Sequence, residues 1–223
     1  MDASALLQGL LVYLCFIPVL TFHEFAHAWT SWKCGDDTAK DLGRVSLNPI
    51  VHMELVGTVI LPLLAIFLSI TNSALAGFII GWGKPVPVNL NNLSNPRRDD
   101  TLIALAGPGM NLILAFLCMA IAKIGFVLKA GGNAQAGEIL IASGYMLVQV
   151  NLVLAFFNLL PIPPLDGSHV LWNALRLSYE SYFRVMPYGI IIVILVMKYT
   201  NVRFYLELAV NTSTYWLLRL YGG

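Results

Sequence analysis

The sequence predicts an all-α polytopic membrane protein with about five to six membrane segments arranged around a three-helix core. Of its 223 residues, 58% are hydrophobic and only 11% are charged, and the mean hydropathy is +0.75. An average soluble domain carries about 25% charged residues. Apolar runs of roughly 20 residues, the length that crosses a bilayer, recur along the chain. We therefore expect one membrane domain over residues 1–223 and no separate soluble domain.

The N-terminal apolar run predicts a first membrane helix from Ala5 to Trp32. No Lys or Arg precedes it, so it lacks the basic start of a cleavable signal peptide. The next apolar stretch, Leu55 to Trp82, is interrupted by a proline and by Thr71-Asn72-Ser73, which leaves its structure ambiguous. The prolines that follow predict a short extended or β re-entrant element near residues 83–96.

The C-terminal half predicts two long membrane helices and a shorter tail. The first of these helices should run from Thr101 to about Phe126, and the second, after a Gly-rich turn, from Gly137 to Leu160. Pro161-Ile162-Pro163-Pro164 ends the second helix. The region 182–221 should supply the C-terminal membrane segments, with an apolar run over 185–196 and an amphipathic helix or weak span over 202–221.

The distribution of basic residues predicts the topology. Connections 33–54 and 83–100 carry three Lys or Arg each, and connections 123–138 and 161–184 carry two each. Placing all but 123–138 inside gives eight basic residues on the cytoplasmic side and two outside, as the positive-inside rule requires. The stretch 55–82 must then enter and leave on one face, as a re-entrant element or hairpin.

Charge and cysteine content exclude other classes of partner and site. The formal net charge is +1 and there is no long basic run, so nucleic acid is not an expected partner and partners should be sought in the bilayer. The chain has three cysteines, Cys15, Cys34 and Cys118. They form no CxxC pair and predict neither a disulfide framework nor a thiolate metal site.

The first helix carries the pattern His23-Glu24-x-x-His27 near its end. Two imidazoles at i and i+4 share one helix face, with Cβ atoms about 6 Å apart, which suits chelation of one Zn²⁺. Glu24 could then act as general base toward the attacking water. The alternative is a pair of interior histidines with Glu24 facing a loop, but ionisable groups inside a membrane segment are costly without compensation.

A catalytic zinc site needs a third protein ligand. Asp166 follows the proline-broken end of a helix, where it could equally be a turn or N-cap carboxylate. His169 could be a ligand, a neighbour of one, or a polar residue at a helix start, and His52 lies in a polar loop where a solvated histidine is ordinary. Asn158 could hydrogen-bond an oxyanion or substrate backbone, or another helix.

Together these residues resemble the site-2 protease family of intramembrane zinc metalloproteases, across most of a catalytic core at about 5–175. The motifs occur in the expected order: His23-Glu24-x-x-His27, Ala106-Gly107-Pro108 followed by Asn111, and Asn158 to Gly167. Further stretches resemble the compact prokaryotic branch: Gly43 to Pro49, Gly81 to Asn89, and Asn95 to Arg98.

The resemblance implies a single zinc per chain with Asp166 as third ligand, Glu24 as base, and a site toward the cytoplasmic side of a prokaryotic plasma membrane. It implies that Asn158 helps to hold the substrate or transition state. It also implies that an extended segment pairs with an unwound transmembrane substrate, a form of β-strand addition. That segment consists of Lys84, Pro85, Val86, Pro87, Val88 and Asn89.

The expected function is hydrolysis of transmembrane substrates, as the second cut of regulated intramembrane proteolysis. The sequence departs from the family where His52-Met53-Glu54-Leu55 replaces a frequent His-x-Asp-Pro, and we expect no PDZ or CBS module. The alternatives are a divalent metal transporter that uses the His/His/Asp site, and an inactive scaffold that binds membrane helices. Glu24 separates them, because a carrier has little use for a base between two ligands.

Overall fold

The computed structural model describes residues 3–71 and 81–222 of the chain. In these ranges the regular secondary structure is helical and no β-strand occurs. The chain divides into two compact units, Met1–Ala106 and Gly107–Gly223, which are described separately below.

The first unit consists of helices joined by non-helical chain. Helix α1 (Ala3–Lys33) is continuous through Pro18 and matches the predicted first helix to within two residues at each end. It packs against α3 (Leu61–Ile70), where Gly9 leaves space for the side chain of Ile66. The elements, in order, are α1 (Ala3–Lys33), α2 (Thr38–Asp41), a 3₁₀ turn (Pro49–Val51), a π-helical segment (Leu55–Ile60), α3 (Leu61–Ile70), a 3₁₀ turn (Leu90–Asn92) and the start of α4 (Pro96–Ala130).

The ambiguous stretch 55–82 is helical in its first part. The π-helical segment continues into α3, and the side chain of Glu54 accepts a hydrogen bond from Gly57 N at 2.6 Å to cap it. Residues 72–80 lie outside the described part of the chain. Whether this stretch returns to the face from which it entered therefore stays a prediction.

Helix α4 begins earlier than predicted, at Pro96 rather than Thr101, and ends at Ala130 rather than Phe126. Two side-chain hydrogen bonds cap its start: Asn95 N donates to Asp99 Oδ2 (2.7 Å), and Asn95 Oδ1 accepts from Arg98 N (3.4 Å). The pair of bonds resembles a capping box, except that the returning carboxylate comes from the fourth helical residue instead of the third. Proline is favoured in the first helical turn. Four charged residues interpreted as a loop therefore form the first turn of the helix.

The second unit contains the rest of α4 and five further helices. Helix α5 begins three residues before the predicted Gly137, because Asn133 caps it by accepting from Ala136 N at 3.3 Å. The preceding turn has Gly132 at φ +95°, a conformation that favours glycine. The helices are α5 (Ala134–Asn158), α6 (Asp166–Ala174), α7 (Tyr179–Val185), α8 (Gly189–Tyr199), which follows a 3₁₀ turn at Met186–Tyr188, and α9 (Val202–Leu220).

Small residues allow α4 and α5 to approach closely. A Cβ on Gly144 would lie only 2.6 Å from Ala122 N, and one on Gly125 would lie 2.7 Å from Gly137 O. Helix α9 also packs against α5, and Tyr221 after its end donates to Phe116 O of α4 (3.0 Å). The buried core of this unit comprises Ala115, Met119, Ala122, Val148, Leu152 and Val210.

Four helical stretches are long and apolar enough to cross a membrane: Ser4–Lys33, Pro96–Ala130, Ala134–Asn158 and Tyr179–Tyr199. The shorter apolar stretch Leu55–Ser69 falls below that length. Helix α9 does not reach the hydropathy of a span within the described residues. The protein is therefore an all-α integral membrane protein, and the predicted five or six segments would require the two weaker stretches to enter the bilayer as well.

Candidate metal centre

Two histidines near the C-terminal end of α1 face each other across one helical turn. His23 and His27 are 3% and 7% exposed, and their Nε2 atoms lie 3.1 Å apart. Nitrogen ligands at about 2.0–2.1 Å from a tetrahedral zinc are separated by about 3.3 Å. The two donor atoms are therefore already at the separation that chelation of one zinc requires.

The orientation of His27 is fixed by α4. Its Nδ1 lies 2.7 Å from the backbone oxygen of Ile103, and since a carbonyl can only accept, Nδ1 carries the proton and donates. The lone pair of a neutral imidazole then resides on Nε2, the atom that faces His23. Metal-binding histidines usually have this kind of second hydrogen bond, so the pair fits zinc in distance and His27 fits it in tautomer as well.

Glu24 lies beside a non-helical stretch of the same unit. Its side chain is 8% exposed, and a Cβ on Gly83 would lie 3.0 Å from Glu24 Oε1 and 3.1 Å from Leu20. The chain at residue 83 therefore runs directly against the carboxylate. A Cβ at this position would require the side chain of Glu24 or Leu20 to shift by a few tenths of an ångström.

Hydrogen bonds on both sides of Gly83 hold the segment in place. Trp82 N donates to Gly57 O (3.1 Å), and Trp82 O accepts from the hydroxyl of Thr58 (2.8 Å). Lys84 N donates to His52 O (2.8 Å). The π-helical segment and the 3₁₀ turn before it thus position the chain beside Glu24.

Arg44 binds the next two carbonyls of the same segment. Its Nη2 donates to Lys84 O (3.1 Å) and to Pro85 O (2.9 Å), and the side chain is 5% exposed. Burial lowers the pKa of the Arg44 guanidinium, and the negative charge of Glu24 opposes that shift. Arg44 therefore combines contact with the segment and electrostatic attraction to the carboxylate.

Asp36 anchors the far end of the segment. Its carboxylate is fully buried and accepts hydrogen bonds from Asn89 N (2.8 Å), Asn92 Nδ2 (2.9 Å) and Thr38 N (3.2 Å). Burial alone would raise the pKa of the Asp36 carboxyl, but the hydrogen bonds from Thr38, Asn89 and Asn92 outweigh it and lower that pKa. The start of the loop after α1 is thereby tied to residues 89–92.

The predicted extended element is non-helical over residues 81–89, but it is not part of a β-sheet within the described chain. Pro85 and Pro87 have no N–H to donate. The backbone N–H and C=O groups of Val86 and Val88, both half-buried, make no hydrogen bond to any described residue. The β part of the prediction fails because the segment has no partner strand in the described chain.

The expectation of a solvated His52 is wrong. The residue is fully buried, and its Nε2 lies 2.7 Å from Ser46 O. Burial lowers the pKa of His52, the Ser46 carbonyl opposes that effect, and the positive charge of Arg44 lowers it further. The His52 carbonyl also accepts a hydrogen bond from Lys84 N (2.8 Å), so the backbone and the side chain of His52 are both used inside the first unit.

Asp166 belongs to the second unit and is the first residue of α6. The N-cap position is taken by Leu165, and no side-chain hydrogen bond caps the helix there. The N-cap interpretation of Asp166 is therefore wrong. Gly167 lies against the carbonyl of Leu159, so the proline-containing connection folds back onto the start of α6.

The other two candidates of the second unit make local hydrogen bonds. His169 Nε2 lies 2.9 Å from the hydroxyl of Tyr182, which is itself buried. Asn158, the last residue of α5, donates from Nδ2 to Leu154 O at 3.0 Å. Since a side-chain amide carries two hydrogens, this bond uses one of the two that Asn158 can donate.

Sequence reasoning missed one polar contact inside the second unit. The side chains of Asn111 and Asn151 are buried and lie 3.3 Å apart, Nδ2 to Oδ1, between α4 and α5. Such bonds link membrane helices. Only Asn111 stood out in the sequence, because Asn151 lies in an apolar run without a motif of its own.

Comparison with known proteins identifies the family. The chain is 41% identical over 172 residues to the Bacillus subtilis protein named "Putative zinc metalloprotease YwhC", covering 73% of this chain and 69% of that protein. The chain belongs to peptidase family M50. The model of that family matches residues 121–197. Proteins named "Putative zinc metalloprotease Rip2" also match. The protein from Mycolicibacterium smegmatis is 30% identical, and the match covers 96% of this chain and 74% of that protein. The protein from Mycobacterium tuberculosis H37Rv is 34% identical, and the match covers 76% of this chain and 57% of that protein.

As an M50 member the protein is a protease, zinc is its metal, and the resemblance to site-2 proteases is confirmed. The transporter alternative is not favoured. No solved structure matches the chain. Sequence reasoning did not single out three residues around the His23-Glu24-x-x-His27 pattern: Gly83, Arg44 and Ile103. Gly83 and Arg44 lie in stretches that resemble the family, and that resemblance could have pointed to them. No sequence pattern marks the Ile103 carbonyl.

Proposed function

We propose that the protein is an intramembrane zinc endopeptidase of the site-2 protease type, which hydrolyses peptide bonds of transmembrane substrates. The observation that carries this proposal is the pair of buried imidazoles at 3.1 Å with Glu24 between them in sequence. Membership of family M50 supplies the chemical class. The location of the pair in a helix long and apolar enough to span a membrane points to substrates in the bilayer.

In this proposal one zinc is held by His23, His27 and Asp166. A His/His/carboxylate set leaves one tetrahedral position open, as catalytic zinc sites require. The position of Asp166 after a proline-broken helix end and its resemblance to the family motif support it as third ligand. When bound, zinc lowers the pKa of a water ligand to about 7 and polarises the scissile carbonyl.

Glu24 is the proposed general base. Its carboxylate takes a proton from the attacking water as the water oxygen bonds to the acyl carbon, and it returns that proton to the amine nitrogen as the C–N bond breaks. The Ile103 carbonyl keeps His27 in the tautomer that leaves Nε2 available. Gly83 allows the chain to pass beside Glu24 without displacing it.

The segment Lys84 to Asn89 is the proposed binding edge for the unwound peptide. The N–H and C=O groups of Val86 and Val88 have no partner among the described residues, and an added strand could use them. Asn158 is proposed to donate its second amide hydrogen to the substrate carbonyl or to the oxyanion formed from it.

We further propose that the site lies toward the cytoplasmic side of a prokaryotic plasma membrane, and that cleavage is the second cut of regulated intramembrane proteolysis, releasing a cytoplasmic fragment. The excess of basic residues in connections 33–54 and 83–100 supports this orientation. Cysteines introduced at Ser94 and Lys40 should react with an impermeant reagent from the same, cytoplasmic, side. Labelling from opposite sides would refute the topology.

The decisive experiment is cleavage of a model transmembrane substrate by purified protein, with bound zinc measured for each variant. Glu24→Gln should retain zinc and lose cleavage by a factor on the order of 10²–10⁴. Asp166→Ala should lose or weaken zinc binding. Glu138→Gln is a matched control, since this carboxylate is exposed and pairs with Lys129.

Two results would contradict the proposal. Cleavage by Glu24→Gln at the wild-type rate would exclude Glu24 as base, and full zinc occupancy in Asp166→Ala would place the third ligand elsewhere. Zinc flux into vesicles without any cleavage of substrate would instead favour the transporter.

A further inference from the structure

Arg44 is a buried cation that binds backbone carbonyls. Its Nη2 contacts Lys84 O and Pro85 O, at 3.1 and 2.9 Å, and only 5% of the residue is exposed. Its Nη1 is buried and has no hydrogen-bond partner among the described residues. Burial of a charged group costs free energy unless hydrogen bonds and opposite charge compensate. The compensation here comes from the two carbonyls and from the attraction of Glu24.

The two carbonyls need this support because of the local sequence. Residues 81–89 form neither helix nor strand, and Pro85 and Pro87 exclude a regular hydrogen-bonded ladder. A guanidinium is planar and rigid, so it can hold two neighbouring oxygens in a fixed arrangement, which the compact ammonium of lysine does less well. Arg44 therefore defines the path of the chain at residues 84 and 85.

That path determines what lies next to the carboxylate of Glu24. Gly83 directly precedes the residues that Arg44 holds, and a Cβ added there would lie only 3.0 Å from Glu24 Oε1. On the other side, Val86 directly follows them. A shift at residues 84 and 85 would therefore move both the neighbour of the base and the first backbone group of the proposed peptide-binding edge.

We propose that Arg44 is a positioning residue, which holds the Lys84 and Pro85 carbonyls so that the segment from Gly83 to Val88 keeps a fixed place relative to Glu24 and can receive the substrate backbone. The inference rests on the proposed function, because it assigns a role in binding the peptide that is to be cut. Arg44 acts through the segment and does not touch the reacting atoms.

The first test compares Arg44→Gln and Arg44→Lys with the wild type, and uses Arg184→Gln as a matched control on an exposed arginine. Zinc content and thermal unfolding should stay close to wild type in all of them. For Arg44→Gln we expect kcat/KM to fall on the order of 10²-fold, the effect of a misplacement of about 1 Å, with KM raised. Arg44→Lys should fall between, and millimolar guanidinium should restore part of the activity of Arg44→Gln.

The second test does not depend on turnover. In a Glu24→Gln background with the three native cysteines replaced by serine, Val86→Cys should form a disulfide with a cysteine placed next to the scissile bond of the substrate. Adding Arg44→Gln should lower the cross-link yield severalfold, whereas Arg184→Gln should leave it unchanged. A purely structural role would lower zinc content and thermal stability together with activity, and guanidinium would restore nothing.

The outcomes separate the two proposals. Unchanged kcat/KM and cross-link yield in Arg44→Gln would overturn the role of Arg44 while the protease function stands. If Arg44→Gln does not fold, the same measurements on Arg44→Lys decide, and wild-type values there would overturn the role as well. Failure of the wild type to cleave any transmembrane substrate would refute the proposed function itself.

Discussion

The two units of the molecule satisfy their backbone N–H and C=O groups in different ways. In the second unit the backbone is almost entirely helical, so its polar groups are satisfied within each helix, and small residues such as Gly144 let the helices pack closely. In the first unit the chain from 81 to 89 has no regular secondary structure. Its backbone is held instead by buried polar side chains, among them Asp36, Arg44 and Thr58.

The difference indicates where chemistry can take place. Irregular backbone at membrane depth is tolerated only when protein or a wet cavity satisfies it, and a helix cannot offer its backbone groups to a substrate. The first unit uses buried charge to keep a segment with available N–H and C=O groups next to Glu24. The second unit is built for close helix packing. We therefore expect loss of buried polar groups to destabilise the first unit most, and steric substitutions to destabilise the second unit most.

The largest effect on stability should come from removal of the acceptor at position 36. Asp36→Ala leaves the donors of Thr38, Asn89 and Asn92 without their acceptor, so the free energy of unfolding should fall by about 3 kcal/mol. The adjacent Asp37 is exposed and pairs only with Lys40, so Asp37→Ala should change it by less than about 0.5 kcal/mol. Thermal unfolding in detergent micelles measures both, and equal shifts for the two aspartates would refute the role of Asp36.

A steric substitution should act on the second unit. Gly144→Ala places a methyl group 2.6 Å from Ala122 N, so the helices must separate, and we expect a loss of about 1–3 kcal/mol. Gly109→Ala is the matched control in α4, because a Cβ there meets nothing within 4 Å. Thermal unfolding of the two variants decides the matter, and a Gly109→Ala variant as unstable as Gly144→Ala would show that close approach is not the cause.

The smallest effect concerns pH and the loop of the first unit. The pKa of His52 is lowered from 6.5 by burial, with the Ser46 carbonyl opposing and Arg44 adding to the shift. As the pH falls below 6.5, the unfolded chain therefore takes up a proton on His52 before the folded chain does. The contribution of neutral His52 to the free energy of unfolding is fully present above pH 6.5 and is lost as the pH falls. The slope cannot exceed about 1.4 kcal/mol per pH unit for one proton. Unfolding curves from pH 8 to 5 should show this slope in the wild type and a smaller one in His52→Gln; identical slopes would contradict it.

The sequence was a good guide to helices whose signals are local. Helix α1 agrees closely with its predicted range because one apolar run defines it. The start of α4 was misplaced because Arg97 to Asp100 were interpreted as a polar connection, although the Asn95 and Asp99 cap marks a helix start. The β character predicted near residues 83–96 was not found, since a strand needs a partner that the described chain does not provide.

In the candidate site, too, the features set by local helix geometry were predictable and those set by long-range packing were not. The spacing of His23 and His27 alone places two imidazoles on one helix face, and Glu24 follows from the same five residues. The sequence by itself therefore determined a membrane protein with two imidazoles on one helix face and a carboxylate beside them, because helix geometry relates residues four apart. Only the tertiary structure decided that Ile103 orients His27, that Gly83 lies against Glu24, and that Arg44 holds residues 84 and 85. These contacts join residues 40 or more positions apart, a separation at which local periodicity carries no information and only packing brings the groups together.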